Sequence, residues 1–132
     1  MDMNDKYIER ARQLRGNPAR HCNCAQAVLE TFAEECGLSG EQAHNLGAHF
    51  GSGMKMGSTC GAITGGLMVI GLMGGGEPCR KEFIDSMKQD HENMTDCRDL
   101  LRKNAETGVP KGQHCDELVY EAVKKVADIL GL

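Results

Sequence analysis

A run of 21 consecutive residues without a charged side chain, from Met56 to Gly76, restricts the fold of this chain more than any other feature. Eight of these residues are glycine, and the most apolar part, Leu67 to Met73, is short. Glycine lowers helix propensity and no aromatic residues flank the run, so it is a poor match to a membrane-spanning helix. A segment that is apolar on all sides fits the interior of a helical protein instead. The run therefore predicts a buried central helix.

The rest of the sequence predicts helices separated by Gly, Pro and Asn, with no segment that alternates like a strand. Three helices are predicted before the central one. The first has a weak apolar stripe of Tyr7, Ala11 and Leu14 and ends at Gly16, and the second has a strong pattern from the cap Asn23 to Cys36. The third begins at Ser39 and has Ala43, Leu46, Gly47 and Phe50 on one face. The central helix is capped by Ser58 or Thr59, and Gly74, Gly75, Gly76 and Pro78 end it. After it come a short helix from about Arg80 to Gln89, a helix capped by Thr95 or Asp96, and a last helix with an apolar face from Leu118 to Leu130. We therefore predict an all-α, compact bundle of about five to seven helices around a Gly-rich central helix, with residues 1–132 as a single domain.

Charge and cysteine usage narrow the classes of function. The formal net charge is −4 and the basic residues are scattered, so we expect no nucleic-acid partner. The polar start of the chain leads into an amphipathic pattern and lacks the features of a secretory signal, so we expect a cytoplasmic protein with reduced thiols. Its seven cysteines then suit ligands, redox groups or core positions better than structural disulfides.

Cys24, Cys60, Cys97 and Cys115 each lie where a helix is predicted to begin. The start of a helix favours the thiolate form, because free backbone N–H groups and the positive end of the helix dipole face the sulfur. Four such positions in one small domain predict a shared site. Gly57, Gly61 and Gly65 are spaced by four, which predicts a smooth strip where a neighbouring helix approaches the site closely.

Several chemistries suit four such cysteines. They could bind an iron–sulfur cluster, exchange a dithiol for a disulfide without metal, or bind zinc, and buried cysteines also serve simply as small apolar residues. The sequence has no Cys-x-x-Cys, which excludes a thioredoxin-type motif, a zinc ribbon and ordinary haem attachment. His21 and His114 adjoin Cys22 and Cys115, but adjacent side chains diverge, so we predict that both histidines lie on the surface.

The remaining cysteines fall outside this pattern. Cys22 forms a Cys-x-Cys with Cys24, yet the intervening cap directs it elsewhere, and its alternative role is that of a resolving thiol. Cys36 and Cys79 are predicted to be structural.

The Gly-rich loop 51–57 is not a phosphate-binding loop, because it follows a helix and Lys55 precedes Gly57. Met54 and Met56 in this loop could bind a soft metal, but a mobile or core-filling role suits them better.

Over almost its whole length the sequence resembles the C_GCAxxG_C_C family of redox-active proteins. The resemblance is carried by the segments Asn23-Cys24-Ala25-Gln26-Ala27-Val28, Phe50-Gly51 with the Gly-rich loop, Cys60-Gly61-Ala62-Ile63-Thr64-Gly65-Gly66, Cys97-Arg98-Asp99-Leu100-Leu101, and Cys115 before the last helix. The resemblance implies that Cys24, Cys60, Cys97 and Cys115 are the four characteristic cysteines of the family. A related domain occurs in split-Soret cytochromes, which carry an iron–sulfur centre besides haem, and only the cluster-binding half of that analogy applies to this chain.

The leading hypothesis is an iron–sulfur protein, with a [2Fe–2S] cluster on those four cysteines, that acts in electron transfer or redox sensing. Gly61 and Gly65 would allow the close approach of helices around the cofactor. The alternatives are a metal-free thiol–disulfide oxidoreductase using the same cysteines and a zinc-stabilised helical interaction module. We expect a redox partner protein and no membrane partner, and the Gly-rich helix suits packing within one chain or across a homodimer.

Overall fold

The computed structural model describes residues 5–132, and these residues form seven α-helices and one π-helical turn, with no β-strand beyond a single bridge. The helices are α1 (Asp5–Gly16), α2 (Cys24–Thr31), α3 (Gly40–Gly47), α4 (Gly61–Leu72), α5 (Glu77–Asp90), α6 (Cys97–Ala105) and α7 (Lys111–Leu130), and the turn is Gly53–Gly57. The predicted all-α class is confirmed. Residues 1–4, part of the polar start on which the prediction about secretion rested, lie outside the described residues, and the single domain stays a prediction.

All seven helices contribute to one cluster of buried apolar side chains. The central helix α4 contacts α2 more extensively than any other described pair of helices contact each other, and it also packs on α7 and α5. Phe83 and Met87 of α5 and the apolar face of α7 complete the core. None of the described helices combines the length and apolar character that crossing a membrane requires. The glycine-rich segment thus forms the central helix α4, as its composition predicted, and this helix is largely buried except at its last residues, Gly71 and Leu72.

Helices α2 and α3 both end earlier than predicted. Helix α2 stops at Thr31 instead of Cys36, and a turn leads to Gly37, whose φ of +74° lies in the left-handed region. Glu34 and Glu35 follow that end, where acidic side chains oppose the negative end of the helix dipole. Helix α3 stops at Gly47, so the predicted face with Leu46 and Phe50 is wrong.

Leu46 and Phe50, which were predicted to share the face of α3 with Ala43 and Gly47, do not lie on that face. Leu46 is 46% exposed, and Phe50 lies beyond the helix. The carbonyls of Gly47 and Ala48 accept hydrogen bonds from the Asn23 side chain at 3.1 and 3.3 Å. This contact satisfies the free carbonyls at the end of α3 and ties the end of that helix to the start of α2.

The starts of two other helices also differ from the prediction. Cys60 is itself the N-cap of α4, and Ser58 and Thr59 precede it without capping the helix. Cys115 lies one turn inside α7, because that helix begins at Lys111 directly after Pro110. Helix α5 is longer than predicted at both ends. Its first turn contains Pro78, where the missing N–H does not destabilise the helix because N–H groups of the first turn have no partner within the helix.

Candidate functional site

Cys24, Cys60, Cys97 and Cys115 line one cavity of about 40 Å³ at the junction of α2, α4, α6 and α7. The other residues that line the cavity are Ser52, Gly61, Leu100, Leu101, Lys111, His114 and Leu118. All four thiols are free, and each belongs to a different helix or its cap. The structure therefore brings together the four cysteines that the sequence singled out.

Cys24 is positioned by a capping box at the start of α2. The side chain of Asn23 accepts a hydrogen bond from the Gln26 N–H at 2.8 Å, and the side chain of Gln26 accepts one from the Asn23 N–H at 2.8 Å. Gln26 is buried and also donates to the carbonyl of His44 in α3 at 2.9 Å. These bonds fix the first turn of α2, as the sequence predicted for the cap Asn23, and hold Cys24 at the cavity.

Cys60 and Cys97 are held side by side by two extended segments that pair before α4 and α6. The N–H of Cys60 donates to the carbonyl of Thr95 at 2.8 Å, and the N–H of Cys97 donates to the carbonyl of Ser58 at 2.6 Å. An antiparallel bridge between Thr59 and Asp96 lies between these bonds. This pairing was not predicted from the sequence, and it places two helix starts at the same side of the cavity.

The sulfur of Cys60 lies near the backbone N–H groups of Ala62 and Ile63 at the start of α4. Burial raises the pKa of the Cys60 thiol to about 11, and hydrogen bonds from the N–H groups of Ala62 and Ile63 oppose that effect. Donors in this position stabilise a negatively charged sulfur, whether it is a free thiolate or a metal ligand.

Gly61 and Gly65 allow the backbones of α2 and α4 to approach each other. A Cβ atom on Gly61 would lie 3.0 Å from the Phe50 carbonyl oxygen and 3.1 Å from the Ala25 nitrogen. A Cβ atom on Gly65 would lie 2.9 Å from the Ala25 carbonyl oxygen. Gly61 also lines the cavity, whereas Gly65 packs on α2 one turn further along. Gly57 is not part of this strip, because it lies in the turn before α4 with a φ of +72°.

The Gly-rich loop folds over the cysteine cavity as a tight turn. The N–H of Ser58 donates to the Gly53 carbonyl at 2.9 Å, and Ser52, Met54 and Lys55 adopt left-handed backbone angles. Gly53 is at φ +62°, and a Cβ atom there would lie 2.4 Å from the carbonyl oxygen of Ser58 and 2.9 Å from Cβ of Cys97. Only glycine fits this position, so the glycine of the loop serves the packing of Cys97.

Met56 at the tip of this turn is 65% exposed, and Met54 is half-buried. Neither residue lines the cysteine cavity.

The thiols of Cys24 and Cys115 are neighbours at the cavity. Hydrogen bonding from the Cys24 thiol lowers the pKa of Cys115 below the usual value of a thiol, and the positive charges of Arg15 and Lys111 lower it further against the effect of burial. The same bond and burial raise the pKa of Cys24. The pair therefore favours one thiolate, on Cys115, beside one protonated thiol.

Arg15 of α1 supports this pair from outside the cavity. Its Nε donates to Asp116 at 2.7 Å, and its Nη1 donates to the carbonyl of Cys22 at 2.8 Å. The guanidinium therefore has a fixed position from which it attracts negative charge on Cys24 and Cys115.

His114 also lines the cavity, so the prediction that it lies on the surface is wrong. Its Nε2 is buried without a hydrogen-bond partner among the described residues, and burial lowers the pKa of its imidazole. His114 precedes Leu118 by four residues, a spacing that puts both on the inner face of α7 and could have revealed this position. His21, by contrast, is exposed as predicted.

The other three cysteines lie outside the lining of the cavity. Cys22 is buried and donates to Glu30 at 3.1 Å, so it points away from Cys24 as predicted. Cys36 and Cys79 are half-buried and pack against the core.

The shape of the cavity limits what it can hold. A volume of about 40 Å³ has room for roughly three water-sized groups, so the cavity admits only a group of a few atoms. Four cysteine thiols are the usual ligand set of an iron–sulfur cluster, and the leucines beside them make the lining mostly apolar. The residues present therefore fit such a cluster.

A protein built in this way is a small helical protein with four cysteines around one cavity. The sequence profile of a family described as "Putative redox-active protein (C_GCAxxG_C_C)" matches residues 22–129. The chain belongs to that family, and the predicted resemblance is confirmed. Comparisons with curated proteins and with solved structures gave no significant match.

Proposed function

We propose that this protein is a redox protein that binds a [2Fe–2S] cluster through Cys24, Cys60, Cys97 and Cys115 and transfers or senses single electrons. The observation that carries the proposal is the convergence of these four thiols on one cavity, three from helix starts and Cys115 from one turn inside α7. When bound, the cluster would supply one-electron redox chemistry that the side chains lack.

The spacing of the four sulfurs favours a cluster over a single zinc ion. Three thiolates on one tetrahedral zinc lie about 3.8 Å apart, because each Zn–S bond is about 2.3 Å long. Within the described part of the chain, no three of these four cysteines have sulfurs that all lie within 4.8 Å of one another. A two-iron cluster needs two separate pairs of thiolates, one pair for each iron, so wider spacing suits it.

The charges around the cavity support several thiolates in one place. The N–H groups of Ala62 and Ile63 face Cys60, while Lys111 and Arg15 act on Cys115 from two other sides. Hydrogen bonds and positive charge around cluster sulfurs stabilise the reduced, more negative state. The apolar side chains of Leu100 and Leu118 lower the polarity of the site and strengthen these interactions.

The test is a visible spectrum and iron analysis of protein purified anaerobically from cells that assemble clusters. We expect visible absorbance and about two irons per chain, both lost in Cys60→Ser. Cys36→Ser is the matched control, because Cys36 is half-buried but does not line the cavity, and it should keep both. A colourless, iron-free wild-type protein would contradict the proposal.

The hydrogen-bonded pair of Cys24 and Cys115 favours a second candidate function, metal-free thiol–disulfide exchange. The Cys115 thiolate would attack a disulfide of a partner protein and displace one partner thiolate. Cys24 would then lose its proton, attack the Cys115 sulfur of the mixed disulfide and release the second partner thiolate. The partner gains two electrons as a dithiol, and this chain is left with a Cys24–Cys115 disulfide.

Peptide mapping of the iron-free protein after treatment with a low-molecular-weight disulfide tests this candidate. We expect a reversible Cys24–Cys115 crosslink that is absent from Cys115→Ser and unaffected in Cys79→Ser. If the dominant crosslink joins other cysteines, or none forms, this chemistry is excluded. Both candidate functions require a redox partner protein, and that partner and the cytoplasmic location stay predictions.

A further inference from the structure

A second group of metal-ligating side chains lies between α2 and α3, outside the lining of the four-cysteine cavity. Cys22, Glu30 and His44 each offer one donor atom, and these three atoms lie within 4.8 Å of one another. Oε2 of Glu30 lies 3.1 Å from Sγ of Cys22 and 3.0 Å from Nδ1 of His44. Sγ of Cys22 lies 4.0 Å from that nitrogen.

These distances are close to those of a tetrahedral zinc site. Zn–S, Zn–N and Zn–O bonds of about 2.3, 2.0 and 2.1 Å place sulfur, nitrogen and oxygen ligands about 3.4–3.6 Å apart. The observed separations of 3.0, 3.1 and 4.0 Å each differ from these values by only about half an ångström. Small side-chain rotations would therefore make the three atoms equidistant from one ion.

Burial and support make these side chains more than a surface cluster. The Cys22 residue is 2% exposed, the Glu30 side chain 4% and the His44 side chain 28%. Arg20 binds the other carboxylate oxygen of Glu30, Oε1, at 2.6 Å, which leaves Oε2 facing Cys22 and His44. Metal-ligating carboxylates are commonly fixed by an outer partner in this way.

Two members of the group border solvent: Glu30 lines a groove, and His44 is partly exposed. A groove lined by Arg20 and Glu30, together with Arg10 and Leu14 of α1, opens beside it. His44 is the most exposed of the three side chains. An ion could therefore enter after the chain has folded.

We propose that Cys22, Glu30 and His44 bind a divalent transition-metal ion, with Zn²⁺ the best match and water as the fourth ligand, at a site separate from the four-cysteine cavity. Zinc accepts sulfur, nitrogen and carboxylate oxygen ligands, whereas magnesium or calcium would require oxygen ligands. The ion would displace the thiol proton of Cys22 and replace the hydrogen bond from Cys22 to Glu30. It would join the segment before α2, the body of α2, and α3.

The same residues also form a network without metal. In it Cys22 and Arg20 donate to Glu30, Arg20 also donates to the Cys22 sulfur at 3.4 Å, and the His44 ring pairs with Glu30. Metal binding and this network predict different effects of substitution. A ligand set loses the ion when any one member is replaced, whereas the metal-free network gives no metal-dependent signal.

The test uses Co²⁺ as a spectroscopic probe, added to the full reduced chain after removal of metals by a chelator. We expect tetrahedral cobalt bands with thiolate charge transfer, which Zn²⁺ abolishes by competition. Loss of a residue that only hydrogen-bonds a metal ligand weakens metal binding by roughly 10- to 100-fold, so His44→Gln, which removes a ligand, should weaken Co²⁺ binding at least as much. Cys22→Ser should remove the charge-transfer band.

Three variants serve as controls. His49→Gln replaces an exposed histidine and Cys36→Ser a half-buried cysteine, and both should bind Co²⁺ like the wild type. Cys60→Ser should also keep the signal, which separates this site from the four-cysteine cavity and from the fate of the proposed cluster. A signal lost in Cys60→Ser but kept in His44→Gln would overturn the proposal, as would the absence of any cobalt spectrum.

Thermal unfolding provides a second readout that does not depend on cobalt. Zn²⁺ should raise the midpoint of the wild type, because an ion that binds only the folded state stabilises it. His44 is partly exposed, so His44→Gln should fold, and its midpoint should not respond to Zn²⁺. An equal Zn²⁺ response of His44→Gln and wild type would contradict the assignment.

Discussion

Replacing Gly65 with alanine should reveal how closely α2 and α4 must approach to form the site. The new Cβ atom would lie 2.9 Å from the Ala25 carbonyl oxygen and 3.0 Å from Cβ of Val28. Real Cβ atoms rarely come so close to backbone, and neither neighbour is the end of a flexible side chain. Helix α2 would therefore have to move away from α4, and it would carry Cys24 with it.

Gly71 provides a matched control in the same helix. A Cβ atom there has no atom within 4 Å, and the residue is exposed. Gly71→Ala should stabilise the protein by about 0.5–1 kcal/mol, because alanine forms helix more readily than glycine. Gly65→Ala should gain the same stability from helix propensity but lose stability through overpacking, which typically costs about 1–3 kcal/mol. The difference between the two variants therefore isolates the packing cost, about 1–3 kcal/mol.

The assay is urea unfolding of both variants and wild type in the same metal and redox state, monitored by circular dichroism. We expect the free energy of unfolding to rise for Gly71→Ala and to fall for Gly65→Ala relative to Gly71→Ala. For a chain of this size, each kcal/mol also moves the thermal midpoint by about 4 °C. Equal stabilisation by both substitutions would refute the argument that Gly65 is needed for close helix contact.

Three further predictions concern the residues around the site. Arg15→Gln should raise the pKa of Cys115, so that alkylation of Cys115 by iodoacetamide reaches half its maximal rate at a higher pH than in wild type. It should also lower the free energy of unfolding by about 1.5–3 kcal/mol through the lost bond to Asp116. An unchanged pH profile would show that Arg15 does not act on the thiol. Asn23→Ala should lower the free energy of unfolding by about 1 kcal/mol or more, measured in urea, because it removes the cap of α2 and its bonds to α3. Gly53→Ala should reduce iron retention because it displaces Cys97, whereas Gly112→Ala, where a Cβ meets no atom within 4 Å, should not.

Local sequence signals predicted the elements of this fold that depend on neighbours along the chain. Asn23 and Ser39 begin α2 and α3 as predicted, and each forms a capping box with the glutamine three residues later. The uncharged run forms the buried helix α4 because its composition leaves no polar face for solvent. These signals lie within a few residues, so a single sequence contains them.

Contacts between segments that are distant in the sequence could not be predicted from these local signals. The pairing of Thr59 with Asp96 involves single residues without an alternating pattern, so nothing in the sequence marks it. It is nevertheless what places Cys60 beside Cys97. The hydrogen bonds from Asn23 to the end of α3 are likewise tertiary, and they accompany the early end of that helix.

The prediction for Cys115 was only partly correct. The sequence placed it at a helix start and on the buried stripe of the last helix, but Pro110 starts the helix one turn earlier. The lowered pKa of Cys115 arises mainly from the hydrogen bond of Cys24 and from Arg15, which are tertiary partners, and less from Lys111 in the first turn of its own helix. The position of His114 was predicted wrongly because Cys115 was assumed to face the site, and the side chain of its neighbour His114 was therefore expected to point towards solvent.

Electron paramagnetic resonance of the anaerobically purified and chemically reduced protein, combined with its iron content, tests the central claim most directly. The account predicts about two irons per chain and about one unpaired spin for each such pair, with both signals absent when Cys60 or Cys97 is replaced by serine. Iron that persists without either cysteine, or wild-type protein without iron from cells that assemble clusters, would contradict it.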